Sequence, residues 1–278
     1  MFKTRVVTAV LLLLVFFFAL FELPPLGWAI FSTLVVAIAA WEWGGLMRLA
    51  SLSRYLLAMV FVLVCALVAY LEPSALNLKS GFFEAAWRTA QWFYIPAALF
   101  WLLGVPLWLK YRWPLPKSWL GGLLGMLLLL PAWLALIQLK QFGAFGLIAV
   151  MATVWLADIA AYFFGHAFGR HKLAPNISPG KTWEGACGGV LAVVIYGFIL
   201  APNLPEALSS KPVVLLLALI FVSVLSILGD LFESLLKRQA GLKDSSNVLP
   251  GHGGVLDRID SLTSTLPLVA LIWFKALN

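Results

Sequence analysis

Residues 213–228, VVLLLALIFVSVLSIL, carry no charge, and they run directly into residues 229–260, GDLFESLLKRQAGLKDSSNVLPGHGGVLDRID, where charge is dense. The second stretch gathers Asp230, Glu233, Lys237, Arg238, Lys243, Asp244, Asp257, Arg258 and Asp260, with His252 among glycines, in a chain that is only 11% charged. A second apolar run, residues 261–276, follows. Ionisable groups at or near a bilayer are costly to place, so such a segment between two apolar runs is by default functional. This junction decides the fold: the apolar runs are membrane spans, and the charged segment sits at their ends.

The rest of the chain agrees. Of its 278 residues 63% are hydrophobic, against about 45–50% apolar in an ordinary soluble domain. Mean hydropathy is +0.99. Many of its 13 Trp lie near the ends of apolar runs, where an amphipathic indole suits the membrane interface. The expected fold is all-α and polytopic, with nine transmembrane helices over residues 6–21, 26–41, 55–71, 91–109, 119–139, 144–164, 184–200, 213–236 and 261–276. The first run is followed by Pro24-Pro25 and no small-x-small cleavage site, so it reads as a span rather than a signal peptide.

The net charge of +7 reports topology rather than a nucleic-acid partner, because the basic residues occupy short loops and form no single basic face. With a cytoplasmic N-terminus, fourteen Lys and Arg fall in inside loops and five outside, as the positive-inside rule requires. Cys65 and Cys187 lie in apolar runs without disulfide or CxxC spacing and read as small buried hydrophobes. Two tiers emerge. Residues 1–150 are mostly apolar scaffold, whereas residues 151–278 bring acids, glycines and all three histidines to the cytoplasmic ends of the helices.

Asp158, Ala161, Tyr162 and Gly165 recur every three or four residues, which puts an acid on a face that another helix can approach closely. That acid serves either a helix-to-helix hydrogen bond or a ligand. In the following loop, Gly180-Lys181-Thr182 resembles the tail of a phosphate-binding P-loop, but Pro175 stands where its first glycine belongs and no βα unit precedes it. A P-loop is therefore excluded. Ser178, Lys181 and Thr182 remain as phosphate donors near a helix N-terminus, or Lys181 as a headgroup anchor, with Glu184 as a first-turn cap.

Asp230, Ser234 and Lys237 share a helical face at i, i+4 and i+7, and Glu233 with Lys237 also makes an i, i+4 pair. The glycines around His252 allow close backbone approach to a ligand. Carboxylates on either side of a basic loop suit Mg²⁺, a hard ion that takes carboxylate, water and phosphate oxygens. Zinc is disfavoured, since His252 has no Cys or second His at ligand spacing. Lys and Arg beside such an ion are what phosphoryl chemistry asks of a protein. The residues thus point to Mg²⁺-dependent phosphate chemistry at the cytoplasmic face of a membrane.

At these residues the chain resembles the phosphatidate cytidylyltransferases of bacterial type, also called CDP-diacylglycerol synthases. The resemblance rests on Ser234, Lys237, Arg238, Lys243, Asp244, Pro250, His252, Gly253, Gly254, Asp257, Arg258 and Asp260, on the block from Ser178 to Gly185, and more weakly on Lys3 to Arg5 and Trp41 to Trp43. It covers essentially the whole chain, most strongly the second half. One departure is Ile159-Ala160, where Thr or Ser and Gly are expected beside Asp158.

The resemblance implies the reaction of CTP with phosphatidic acid to give CDP-diacylglycerol and pyrophosphate, in the bacterial cytoplasmic (inner) membrane. It implies Mg²⁺ on Asp230 and Asp257, with a second cation left open, and a catalytic set of Asp230, Asp257, Lys237 and Lys243. Ser178, Lys181, Thr182, Ser234, Arg238, His252, Gly253, Gly254 and Arg258 are expected to bind substrate, while Asp158, Glu184, Asp244 and Asp260 act through these groups. The expected partners are CTP, phosphatidic acid and membrane lipids, with a homodimer left open. A CTP-dependent kinase of a lipid alcohol is the alternative enzyme. A cation transporter using Asp158 and Asp230 is disfavoured, because matching halves with broken helices are absent.

Overall fold

In the computed structural model, which describes residues 2–79 and 84–277, the chain forms α1 (Phe2–Glu22), α2 (Pro25–Leu46), α3 (Ser51–Leu71), α4 (Glu84–Leu99) and α5 (Val105–Tyr111). These are followed by α6 (Trp119–Leu139), α7 (Ala144–Phe168), strands β1 (Lys172–Ala174) and β2 (Ser178–Thr182), α8 (Trp183–Leu200), the one-turn α9 (Glu206–Ser209), α10 (Pro212–Ala240) and α11 (Leu256–Leu277). A π-turn, Phe100–Gly104, joins α4 to α5 as one span. Among the described residues nine helices are long and apolar enough to cross a membrane, as the sequence leads one to expect. The side chain of Lys3 lies outside the described residues.

The architecture is all-α except for the antiparallel β1–β2 hairpin, with Lys172 opposite Thr182 and Ala174 opposite Ser178. This hairpin replaces the loop expected between α7 and α8. Several helices are longer than their apolar runs. The residue 213–236 run extends to Ala240 and stops at Gly241, whose φ of +72° suits glycine and lets the Leu242 amide donate to the Lys237 carbonyl at 2.8 Å. The run at residues 261–276 starts early, at Leu256, so Asp257, Arg258 and Asp260 occupy the first turns of α11 rather than the loop before it.

Apolar helices gain no hydrophobic free energy by associating in lipid, so close packing of small residues and buried polar contacts hold them together. α6 is buried along most of its length and forms the centre, flanked by α2, α4 and α11. Trp43 on α2 donates its indole N–H to the Gly121 carbonyl on α6 at 2.9 Å, a buried bond contributing about 1 kcal/mol. α3 buries only Phe61 and Cys65 and lies at the edge of the bundle.

α7 and α8 meet along a seam of small residues. A Cβ on Gly185 would lie 2.6 Å from the Ala161 carbonyl oxygen, and one on Gly189 would lie 2.8 Å from that of Ala157. Ala157, Ala161 and Gly165 therefore form the seam, while Tyr162, expected on that face, is 68% exposed and stacks on His166. Cys65 is buried as expected, but Cys187 on α8 is exposed. It lies on the face of α8 opposite Gly185 and Gly189, which meet α7.

Candidate active site

One end of the bundle collects the chemistry. The Arg48 guanidinium after α2 donates to the Gln239 carbonyl on α10 (2.8 Å), and the Gln239 amide donates to the carbonyls of Arg112 and Trp113 beyond α5 (both 3.0 Å). Thr8 near the start of α1 donates to the Pro250 carbonyl at 2.9 Å. These contacts draw the ends of α1, α2, α5 and α10 around the segment between α10 and α11.

The first centre is Asp230 on α10. Its Oδ2 pairs with Lys181 Nζ at 2.5 Å, and its Oδ1 accepts from Ser234 Oγ at 3.2 Å. Both charged side chains remain partly open, 25% exposed for Lys181 and 30% for Asp230. Lys181 reaches this position because β2 carries it back from α7 toward α10. Thr182 then caps α8, its hydroxyl accepting from the Gly185 amide at 3.1 Å. Glu184 holds the turn before the hairpin, taking the His171 amide and lying 2.6 Å from His171 Nδ1. Asp158 on α7 and Asp260 on α11 lie within Coulombic range of Asp230. Ser178 pairs with Ala174 in the hairpin.

The second centre is more enclosed. Lys237 Nζ sits between Glu233 Oε2 at 2.8 Å and Asp257 Oδ1 at 2.6 Å, and the three side chains are 12%, 6% and 3% exposed. Lys237 thus turns away from the Asp230–Ser234 contact that shares its helical face. Asp257 Oδ2 accepts from the Ser245 amide (2.8 Å), the Ser245 hydroxyl (2.9 Å) and the Gly254 amide (2.7 Å). Behind Glu233, Phe232 meets the rings of Phe100, Trp101 and Trp108 edge-on at 5.7–6.0 Å, an aromatic wall that the π-turn helps present.

A residue not singled out in the sequence completes this centre. Glu42, on α2, is fully buried and accepts from Ser246 Oγ (2.6 Å), the Val255 amide (3.0 Å) and the Leu256 amide (2.6 Å), with Ser245 Oγ at 3.2 Å. A side chain at residue 254 would collide with Glu42 and Ser245, which accounts for Gly254. Gly253 has φ +81° and its missing Cβ would stand 2.7 Å from Asp257 Oδ2. The signal for Glu42 was present, an acid flanked by apolar sequence, the same oddity that marks Asp158.

The remaining expected residues lie in the segment between α10 and α11 or at the helix ends beside it. Lys243, Asp244 and Arg258 are exposed, and Arg238 is exposed with only a long 3.4 Å bond to the Leu242 carbonyl. His252 Nδ1 is buried without a hydrogen-bond partner among the described residues. Lysine ammonium groups balance Asp230 and Asp257, whose carboxylate oxygens are the donor type that Mg²⁺ takes. Among the described residues no three carboxylates or histidines already converge as a metal cage. Exposed guanidinium and ammonium groups near anchored acids are the chemistry that a polyphosphate calls for.

Comparison with known proteins bears on the same residues. A model of the cytidylyltransferase family matches residues 3–275. The chain is 44% identical to a phosphatidate cytidylyltransferase of Pseudomonas aeruginosa over 98% of its own length and 97% of that protein. It is 35% identical to one of Haemophilus influenzae over the full length of both. A third, from Bacillus subtilis, is 42% identical over 48% of each chain. With the family model spanning both centres and the exposed basic residues around them, the chain belongs to the cytidylyltransferase family.

Proposed function

We propose that the protein transfers the cytidylyl group of CTP to phosphatidic acid, giving CDP-diacylglycerol and pyrophosphate. A phosphate oxygen of the lipid forms a bond to the α-phosphorus of CTP as the bond from that phosphorus to the bridging oxygen of the β-phosphate breaks. Pyrophosphate leaves with that oxygen. The attacking and leaving groups are already acidic, so no strong general base is needed, and the protein's contribution is positioning and charge stabilisation.

The observation that carries the reading is the pair of lysine–carboxylate centres, with the exposed Arg238 and Arg258 next in sequence to Lys237 and Asp257 and the exposed Lys243 in the segment between α10 and α11. These exposed cations take triphosphate oxygens, and Lys181, with Ser178 and Thr182 beside it, takes a phosphate of either substrate. Lys237 is deeper and keeps Asp257 oriented. Asp230 and Asp257 would be the residues to hold Mg²⁺, which would supply charge compensation for the nucleotide phosphates, Asp257 first exchanging its Lys237 contact. Residues 1–150 act mainly as scaffold and residues 151–278 carry the chemistry, facing the cytoplasm from the inner membrane.

A transfer assay in detergent tests this, using CTP labelled in the base or in the γ-phosphate and either phosphatidic acid or a polyprenol as acceptor. The expected result is base label in lipid with phosphatidic acid alone, lost on chelating divalent cations. Label from the γ-phosphate in a polyprenol product would mark a lipid kinase instead.

A further inference from the structure

We propose that Glu42 is a positioning residue for cytidylyl transfer, acting from α2 through the first turn of α11 and Ser245 to set the orientation of Asp257. The inference rests on the reading of Asp257 and Lys237 as part of the site.

Glu42 is 0% exposed, and among the described residues no Lys or Arg lies within ion-pair distance, Arg54 on α3 being only in Coulombic range. Its charge is held instead by donors. Val255 and Leu256 supply the first amides of α11, a helix end whose partial positive charge favours an anion. Ser246 supplies a hydroxyl. Ser245 Oγ lies 3.2 Å from Glu42 Oε2 and 2.9 Å from Asp257 Oδ2, so its single hydrogen serves one carboxylate at a time. Its amide bonds Asp257 in either case. The two acids therefore share one loop, and Asp257 is the second residue of the helix whose start Glu42 holds.

An amide at this position has the right shape and the wrong polarity. In Glu42→Gln one oxygen becomes NH₂. On one side that group faces the Val255 amide, and on the other the Leu256 amide, both donors. Donor against donor pushes the start of α11 away from α2. Asp257 moves with it, away from the 2.6 Å contact with Lys237. Groups that orient a reacting residue in this manner typically change rate or affinity by about 10- to 100-fold when altered.

The experiment uses the full chain in detergent with CTP and phosphatidate, comparing Glu42→Gln, Ser245→Ala, the double variant, Ser246→Ala and Asp257→Asn, each with its thermal midpoint. The expected result for folded Glu42→Gln is a kcat lower by about 10- to 100-fold with KM for CTP near that of the unaltered protein. The double variant is expected to be no worse than Glu42→Gln, because both changes act through Asp257. Folded Glu42→Gln with unaltered kcat overturns the proposal, as do losses that multiply in the double variant. If Glu42→Gln does not fold, Ser246→Ala decides, because Ser246 donates to Glu42 and not to Asp257: a lowered kcat supports the proposal and an unaltered one overturns it. Full activity of Asp257→Asn removes the underlying site reading instead, so the two failures are distinguishable.

Discussion

At the scale of single residues, Lys237 holds two buried carboxylates with one ammonium, at 2.8 and 2.6 Å. Removing one member of such a buried set leaves charge without compensation, which typically costs about 3–5 kcal/mol. Lys237→Met should therefore lower the thermal midpoint markedly as well as abolish transfer, and an unshifted midpoint would contradict the buried geometry. Asp257→Asn keeps the shape and removes the charge. Its NH₂ faces either Lys237 or the Ser245 and Gly254 amides, so its thermal midpoint should fall too, and the folded protein should lose at least about a hundredfold in kcat/KM, equivalent to about 2.7 kcal/mol. The charged residues of the site were legible in sequence because charge is rare in this chain. Their pairings were legible only within a helix: the i, i+4 spacing gives Glu233 as a partner of Lys237, whereas Asp257 is brought in by another helix and Asp230, on the same face as Lys237, pairs with Lys181.

At the scale of elements, the hairpin owes its position to the seam between α7 and α8, since β1 and β2 hang from the ends of those helices. A single methyl tests this. Gly189→Ala places a Cβ 2.8 Å from the Ala157 carbonyl and must spread the helices, whereas Gly146→Ala on α7 meets nothing closer than Phe142 Cβ at 3.6 Å. Overpacking of this kind costs about 1–3 kcal/mol. Transfer activity and thermal midpoint should fall in Gly189→Ala and hold in Gly146→Ala; equal behaviour of the two would mean that the seam does not position Lys181. Helix existence was legible from apolar runs, while helix ends were not. α11 begins five residues before its apolar run, because a carboxylate 214 residues earlier in the chain serves its first amide, and no local pattern encodes that partner. The hairpin was hidden likewise, its five-residue strand SPGKT having no alternation of apolar residues.

At the scale of the whole molecule, the nine candidate spans among the described residues, if each crosses once, put the two termini on opposite sides of the membrane. The helix ends that meet around residues 241–255 are those whose loops carry most of the basic residues, so a reporter on the N-terminus should read as cytoplasmic and one on the C-terminus as external. Both reporters on the same side would refute the span count. The division into scaffold and chemistry is softer than composition suggests, since α2 supplies Glu42 and α1 meets the Pro250 turn through Thr8. The Glu42 contact also sets an order of events during synthesis. At about 5–20 residues per second, the ribosome needs about 10–40 s to make the 214 residues separating Glu42 from the amide that binds it. Throughout that interval the α2 acid lacks its lodging and depends on water, so the end of α2 must stay wet until the last helix enters. A ribosome that stalls before Leu256 therefore leaves a membrane-embedded chain whose α2 acid lacks the amides that hold it in the finished protein.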